Sequence, residues 1–299
     1  MNKTCIIIAG PTAVGKTALS IELASHFNAE IISADSRQCF RELNIGVAKP
    51  TPDELSKVRH HFINSHSIHE EVNASVFEEY ALHTVNKLFE KNEVVVMTGG
   101  TGLYIKAFRE GMDAIPPIPE DVRKFVIKKY QDLGIDWLVS QLEEKDPLFA
   151  AKGEMKNPQR MMRALEVVLQ TGQSIFSFRK NQQHQREFRI IPIALELPRE
   201  QLYERINKRV DMMFEDGLLD EARSLLPFRH LNALQTVGYT ELFDYFDGKT
   251  NSDRAVELIK QNTRHYAKRQ MTWFKRDAET KWFLPDINLL REWFKGLMA

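Results

Sequence analysis

The sequence predicts an α/β fold in which helices flank a parallel sheet, with an all-helical insertion in the middle of the chain. Over the first third of the chain, short apolar runs rich in β-branched residues alternate with longer amphipathic stretches. That alternation is typical of buried parallel strands joined by crossover helices. A proline cluster at 114–119 then opens about seventy residues with helical periodicity and no convincing strand, which indicates the insertion.

Length and composition support a globular protein. The chain has 299 residues, of which 43% are hydrophobic and 27% charged, and a length prior of roughly 150 residues per domain gives about two domains. These fractions exclude a disordered or disulfide-stapled chain. The 41 basic and 41 acidic residues exclude a uniformly basic surface, although one basic face remains compatible with a neutral total. Cys5 and Cys39 have no metal-site spacing and indicate a reducing compartment.

The elements follow from the periodicity of the apolar residues. Apolar runs predict strands at 6–9, 31–34, 94–97 and 190–197. Apolar residues at spacings of three and four predict helices at 17–27, 75–90, 199–214, 218–226 and 252–276.

The same patterns divide the chain into domains. We expect residues 1–112 and 186–299 to form the α/β core with its C-terminal helices, and 113–185 to form the helical insertion, which ends in the polar tract 179–186. No apolar run approaches the roughly 18 residues that a membrane-spanning helix needs. The first apolar run also stops before it reaches the length of a signal peptide. We therefore expect a cytoplasmic protein with no membrane partner.

A phosphate-binding motif follows the first strand. Gly10-Pro11-Thr12-Ala13-Val14-Gly15-Lys16-Thr17 fits the pattern GxxxxGK[ST], and a predicted helix begins directly after it. Such a loop turns backbone N–H groups toward phosphate oxygens, the lysine adds charge, and the hydroxyl of Thr17 can hold Mg²⁺. The predicted fold class is therefore a P-loop NTPase-like parallel sheet.

Polar residues at the ends of the next two strands suggest further site residues. Asp35 ends the second strand, at the sheet edge where ligands bind in open α/β folds. It is a candidate magnesium ligand or general base, and the alternative is a carboxylate that only caps a turn. The third strand ends in Thr98-Gly99-Gly100-Thr101 with no acid, unlike an NTPase. Its glycines allow a ligand to approach the backbone closely, and Thr101 offers a hydroxyl.

Taken together, the motifs resemble those of the bacterial tRNA dimethylallyltransferases (tRNA isopentenyltransferases, the IPP transferase family). The similarity covers nearly the whole chain, and Cys39-Phe40 departs from the Val-Tyr that relatives often carry. The blocks that carry it are GPTAVGKT at 10–17, ADSRQ at 34–38, GVAKP at 46–50, HHF at 60–62, GGTGLY at 99–104, NPQRMMRALE at 157–166, GLLDEA at 217–222, LQTVGY at 234–239 and QNTRHYAKRQMTWF at 261–274.

The resemblance implies a reaction. A dimethylallyl group would pass from its diphosphate to N6 of the adenosine 3′-adjacent to the anticodon, with Mg²⁺ as cofactor and diphosphate released. The P-loop and Lys16 would bind the leaving group, and Thr17 would hold the metal. Asp35 would take the proton from N6, and Thr101 would orient the amine or the diphosphate.

The resemblance also implies partners, namely dimethylallyl diphosphate and the tRNA anticodon stem-loop, with the enzyme expected to be a monomer. Arg123 is assigned either to the diphosphate or to RNA. For Arg160 and Arg163 a solvated helix face is the alternative. The implied tRNA contacts are Asp35, Ser36, Arg37, Gln38, Thr101, Arg123, Gln159, Arg160, Met161, Met162, Arg163, Gln235, Thr236, Val237, Gly238, Tyr239 and Thr240.

A basic helix near the C-terminus fits an RNA partner. Residues 260–276 carry six basic side chains and no acidic one, and Lys260, Arg264 and Lys268 are four apart, so they form one stripe. The stripe predicts contacts with an RNA backbone, and a solvated charged face is the alternative. Three other functions remain open: a P-loop nucleotide kinase, an adenylate isopentenyltransferase that uses a free nucleotide, and a non-catalytic RNA-binding protein gated by phosphate.

Overall fold

A computed structural model describes residues 3–179 and 184–298. The chain divides into two compact units, one made of the residues up to Arg109 and from Gln185 onward, the other of Glu110–His184. Residues 180–183, within the tract predicted to end the insertion, lie outside the described residues.

The larger unit contains a six-stranded parallel sheet with the order β3-β2-β4-β1-β5-β6. β1 lies in the interior of the sheet, and its side chains are buried along its whole length. β1 and β4 pair from Thr4 with Val94 to Ala9 with Gly99, so both strands end at the same level and the loops after them are neighbours. The strands are β1 (Thr4–Ala9), β2 (Ile31–Ser33), β3 (His60–His61), β4 (Val94–Gly99), β5 (Arg189–Leu195) and β6 (Lys281–Phe283).

The predicted fold class is confirmed, and the four predicted strands are present with shifted ends. β3 and β6 were not predicted, because both are short and, unlike the three-residue β2, contain no β-branched residue and no fully buried one. Both lie at edges of the sheet, where half of the ladder is missing. They therefore need less apolar sequence than the interior strands.

Helices pack on the sheet and enclose its apolar side chains. Side chains of β1, β4 and β5 form one buried cluster with those of α1 and α9, including Leu23 and Ile206. Each such side chain contributes roughly 1.5–3 kcal/mol of burial free energy. The helices of this unit are α1 (Lys16–His26), α2 (Pro52–Lys57), α3 (Ala74–Leu88), α4 (Gly102–Glu110), α9 (Arg199–Glu215), α10 (Leu218–Leu225), α11 (Tyr239–Phe246), α12 (Ser252–Phe274) and α13 (Ile287–Met298), and short 3-10 turns lie at Ile45–Val47, Leu226–Phe228 and Asn232–Leu234.

The second unit is helical and has its own core. It contains α5 (Glu120–Lys145), α6 (Pro147–Lys152), α7 (Pro158–Thr171) and α8 (Ile175–Phe178). α5 is interrupted at Gly134, and Asn157 caps α7 by accepting the N–H of Arg160 at 3.3 Å. Leu138, Met161 and Leu165 lie in its buried cluster. None of the helices in the described part of the chain is long and apolar enough to cross a membrane.

Candidate active site

A cavity of about 1200 Å³ opens at the carboxyl edge of the sheet in the larger unit. Its walls come from segments far apart in sequence: the P-loop, the turn after β2, the 44–52 loop, the turn after β4, the 235–241 segment and one face of α12. The parallel sheet explains three of these contributions, the P-loop after β1 and the turns after β2 and β4, because all parallel strands present their carboxyl ends at one edge.

The P-loop wraps the start of α1. Gly10 leaves β1 with a φ of +143°, and a Cβ there would lie 2.8 Å from the Leu195 carbonyl oxygen of β5, so only glycine fits. Lys16 and Thr17 occupy the first turn of α1. The N–H groups at this helix start have no partner within the helix, which makes the loop an anion site.

The lysine of the motif folds back onto the loop. Its Nζ donates to the carbonyl oxygens of Gly10 at 3.0 Å and of Pro11 at 2.7 Å. Burial, reinforced by the charge of Arg209 and opposed by that of Asp35, lowers the pKa of Lys16 to about 7. A bound anion would restore the charged form, so the residue responds to the presence of phosphate.

Two arginines from α9 also reach the P-loop. Arg205 Nη1 lies 3.4 Å from the carbonyl oxygen of Val14, and Arg209 Nη1 lies 3.5 Å from Thr12 Oγ1. Burial lowers the pKa of Arg209. Sequence reasoning missed both. The sequence pattern that could have indicated them is two arginines spaced four residues apart, about one helical turn, shortly after a core strand.

Asp35 lies beyond β2 and lines the cavity. Its Oδ1 accepts the backbone N–H groups of Arg37 at 2.8 Å and Gln38 at 3.2 Å, so the carboxylate does cap a turn. Among the hydrogen bonds of the described residues, both bonds of Asp35 go to this one oxygen. Capping of the turn by Oδ1 and a chemical role for the carboxylate in the cavity are therefore compatible.

Thr101 lies beside this turn. Its Oγ1 accepts the N–H of Ser36 at 3.0 Å and approaches Ser36 Oγ at 3.3 Å, and a further hydrogen bond joins it to the Tyr266 phenol of α12. Burial and the charge of Asp35 raise the pKa of Tyr266 to about 12, so the phenol stays protonated. The carboxylate of Asp35 and the side chains of Ser36 and Tyr266 thus lie on one side of the cavity. Thr101 bonds to both hydroxyl-bearing residues but is not among the described residues that line the cavity.

Gln270 of α12 was not predicted either, and it joins two walls of the cavity. The side chain is 6% exposed. Its Oε1 accepts the N–H of Thr12 at 2.9 Å, and its Nε2 donates to the carbonyl oxygen of Gly100 at 2.9 Å. The amide therefore fixes the P-loop against the turn after β4.

The 235–240 segment, assigned to tRNA by resemblance, forms another wall of the cavity. Gln235, Thr236, Val237, Gly238 and Thr240 all line it. Tyr239 requires a correction, because its side chain is fully buried and its phenol is bonded to Glu221. The prediction that the Tyr239 side chain contacts RNA is therefore wrong.

In the second unit, the predicted RNA segment 159–163 begins α7. Gln159 and Arg160 are exposed, and Arg163 is partly exposed. Met161 and Met162 are buried in the core of this unit, so the prediction that their side chains contact RNA is wrong. Arg160 pairs with Glu154, and Arg163 lies 3.4 Å from Glu166. Arg123, on α5, is exposed.

The basic stripe on α12 is not a continuous exposed surface. Lys260 Nζ pairs with Asp211 at 2.7 Å, and its side chain is 15% exposed. Arg264 Nη1 donates to Asn207 Oδ1 at 2.6 Å, so these two cations pack on α9. The prediction of a shared RNA-facing stripe is wrong for them, whereas Lys268 is exposed.

The oxygen atoms of the cavity fit a Mg²⁺ ion that takes most of its ligands from a bound substrate. Thr17 and Asp35 both line the cavity and offer oxygen atoms. In the part of the chain that the structure describes, no three His, Cys, Asp or Glu side chains converge as a metal cage. Mg²⁺ commonly binds one or two protein oxygens together with substrate phosphates and water, which is the arrangement these residues allow.

Comparison with known proteins agrees with this geometry. The chain is 49% identical to the tRNA dimethylallyltransferase of Christiangramia forsetii, with 96% of this chain and 95% of that protein covered. It is 47% identical to tRNA dimethylallyltransferase 1 of Bacteroides thetaiotaomicron, with 95% and 92% covered.

Solved structures show the same fold. The tRNA isopentenylpyrophosphate transferase of Bacillus halodurans superimposes with a TM-score of 0.72 at 35% identity, covering 99% of this chain and 96% of that one. A eukaryotic dimethylallyltransferase acting on tRNA gives a TM-score of 0.71 at 28% identity, covering 91% and 69%. The family model described as IPP transferase matches residues 38–277. This chain therefore belongs to the IPP transferase family.

Proposed function

We propose that the protein transfers a dimethylallyl group from dimethylallyl diphosphate to N6 of the adenosine 3′-adjacent to the anticodon in tRNA. Family membership supports this proposal, since the curated relatives are named tRNA dimethylallyltransferases. The observation that carries it is that a phosphate-binding loop and the carboxylate of Asp35 open on the same cavity. A prenyl diphosphate and a nitrogen nucleophile need these two groups.

The cations at the P-loop suit a departing diphosphate. As the bond between C1 of the prenyl group and oxygen breaks, negative charge grows on the diphosphate. The loop N–H groups, Lys16 and the arginines of α9 would stabilise that charge, because preorganised donors at developing charge lower the barrier. A magnesium ion at Thr17, when bound, would supply further positive charge to the diphosphate oxygens.

Asp35 suits the other half of the reaction. The N6 lone pair of adenine is delocalised into the ring, so the amine is a poor nucleophile. As the C1–N6 bond forms, N6 loses a proton, which the carboxylate of Asp35 would accept. Thr101, whose hydroxyl is fixed by Ser36 and Tyr266, would orient the amine or the diphosphate.

The remaining features concern RNA. At about 1200 Å³ the cavity exceeds the usual size of a small-molecule pocket, as expected of a site that takes an extruded base as well as a prenyl diphosphate. We assign RNA contacts to the 235–240 backbone, to Lys268, and to Arg123, Gln159, Arg160 and Arg163 of the second unit. The enzyme is proposed to act as a monomer, and a tRNA substrate accords with the cytoplasmic location expected from the sequence.

One assay distinguishes the candidate functions. The protein is incubated with Mg²⁺ and labelled dimethylallyl diphosphate and offered, in parallel, an anticodon stem-loop with adenosine at the target position, the same RNA with guanosine there, or AMP. Label in the adenosine RNA alone is the expected result. Label in AMP would instead identify an adenylate isopentenyltransferase, and RNA binding without turnover would identify a binding protein. Phosphoryl transfer from ATP, measured separately, would identify a kinase.

A further inference from the structure

Glu221 of α10 holds a loop of the cavity wall, and neither the motifs nor the proposed chemistry gives it a role. Its Oε2 accepts the N–H of Ile45 at 2.8 Å. Its Oε1 accepts the N–H of Gly46 at 2.9 Å and the phenol of Tyr239 at 2.7 Å. Three donors from two segments therefore converge on one carboxylate.

The loop that Glu221 holds, 44–50, is anchored at its other side next to Asp35. The side-chain amide of Gln38 donates to the carbonyl oxygens of Val47 at 3.3 Å and Ala48 at 3.0 Å. The backbone N–H of Gln38 is one of the two groups bonded to Asp35. The loop thus spans from the turn that positions the carboxylate of Asp35 to the carboxylate of Glu221.

Tyr239 connects the same carboxylate to the 235–240 segment. The phenol is fully buried, and burial together with the charge of Glu221 raises its pKa, so it remains a donor. Its ring packs directly on Gly46: a Cβ at that position would lie 2.6 Å from Tyr239 Cζ. The 44–50 loop and the 235–240 segment are therefore closely packed as well as hydrogen-bonded.

The site requires a carboxylate. A carboxylate only accepts hydrogen bonds, and here three donors are met by two oxygens. A glutamine would turn an NH₂ group toward a backbone N–H, so at least one donor would lose its partner. Hydrogen bonds to a charged acceptor are also roughly twice as strong as neutral ones.

We propose that Glu221 is a positioning residue of the active site, which fixes the 44–50 loop to the 235–240 segment so that the wall facing the RNA base keeps its shape beside Asp35. This inference rests on the proposed function for its kinetic consequence. The P-loop lies outside this network, so the effect is specific to one substrate.

The test is Glu221→Gln, with Asp220→Asn as the matched control, since Asp220 is an exposed acid on the same helix. For Glu221→Gln we expect the KM for an anticodon stem-loop to rise about tenfold or more and kcat to fall, while the KM for dimethylallyl diphosphate changes less than about twofold. Asp220→Asn should match wild type. Tyr239→Phe, which removes one of the three donors and keeps the ring, should shift the same parameters by a smaller factor.

Hydrogen exchange of peptides spanning 44–50 gives a readout that does not depend on activity. Exchange there should be faster in Glu221→Gln than in Asp220→Asn or wild type. This expectation holds even if the wild-type protein prenylates no RNA, a result that would contradict only the proposed function. Unchanged exchange together with wild-type constants for RNA would overturn the role of Glu221. So would an equal rise in both KM values, which a general loss of structure would produce. If Glu221→Gln does not fold, Tyr239→Phe decides by the same criteria.

Discussion

The substitution Gln270→Met tests whether one buried amide holds the P-loop in place. Methionine keeps the length of the side chain and its apolar volume but removes both hydrogen bonds. The N–H of Thr12 and the carbonyl oxygen of Gly100 then lose partners at 2.9 Å each. A buried polar group left without a partner costs about 1–3 kcal/mol, so the pair predicts a loss of about 2–6 kcal/mol. Water from the adjoining cavity can reach the loop, which favours the lower half of that range.

Two measurements report the effect. Urea unfolding gives the loss of stability, and titration with dimethylallyl diphosphate gives the affinity of the folded protein. A loop freed from the turn after β4 must be reordered when it binds the ligand, so we expect affinity to fall about tenfold, which corresponds to 1.4 kcal/mol. Gln261→Met is the control, since Gln261 is exposed on the same helix, and its stability should stay within about 0.5 kcal/mol of wild type.

Gln270→Glu sharpens the comparison. A carboxylate retains the acceptor for the Thr12 N–H but places a second oxygen against the carbonyl oxygen of Gly100, so it should be at least as harmful as methionine. The reasoning is refuted if Gln270→Met unfolds at the wild-type urea concentration and binds the diphosphate with wild-type affinity, because the amide would then contribute nothing to the loop.

Three further predictions concern the cations and the base. Asp35→Asn should lower kcat at least about a hundredfold and leave RNA affinity nearly unchanged, as loss of a general base does; wild-type turnover would remove Asp35 from the chemistry. The affinity for the diphosphate should fall as pH rises above about 7, because Lys16, with a pKa of about 7 in the free protein, is then neutral and must take up a proton to bind the anion. The affinity of Lys16→Met for the diphosphate, measured by the same titration, should not show this decrease. If its affinity falls with pH as steeply as that of wild type, Lys16 is not the group that titrates. Lys268→Ala should weaken RNA binding and reduce the slope of log affinity against log salt concentration by about one. Lys260→Ala, which breaks the pair with Asp211, should instead destabilise the fold and leave that slope unchanged. Equal slopes for the two variants would show that α12 has only a structural role.

Much of the site was predictable because its central parts are local in sequence. The P-loop is a continuous motif, and Asp35 ends an apolar run, so parallel-sheet geometry alone brings the two to one edge. Arg209 and Gln270 were not predictable in this way. Their contacts with Thr12 cross 197 and 258 residues, and they depend on how α9 and α12 pack over the loop.

The incorrect predictions have a different cause. Resemblance assigned whole segments to RNA without deciding which side chains face solvent. In α7 the apolar residues Met161, Leu165 and Val168 recur at spacings of three and four and are all buried, so helical periodicity would have placed the methionine in the core. Tyr239 had no such signal, because its burial depends on contact with the 44–50 loop.

The two faces of α12 explain why its charge pattern wrongly predicted a continuous RNA-facing stripe. Asn262, Tyr266 and Gln270 are four apart and contact, in turn, Glu241 at the base of the 235–240 segment, Thr101 beside Asp35, and the P-loop. Over eight residues, about 12 Å of helix, one polar face of α12 therefore contacts Glu241, the Thr101 turn and the P-loop. Each cation of the stripe that begins at Lys260 precedes one residue of this polar face by two positions, so the stripe lies about 200° around the helix from that face. Lys260 and Arg264 of that stripe therefore hold α12 on α9, and the uncharged face opposite them is the one that lines the cavity.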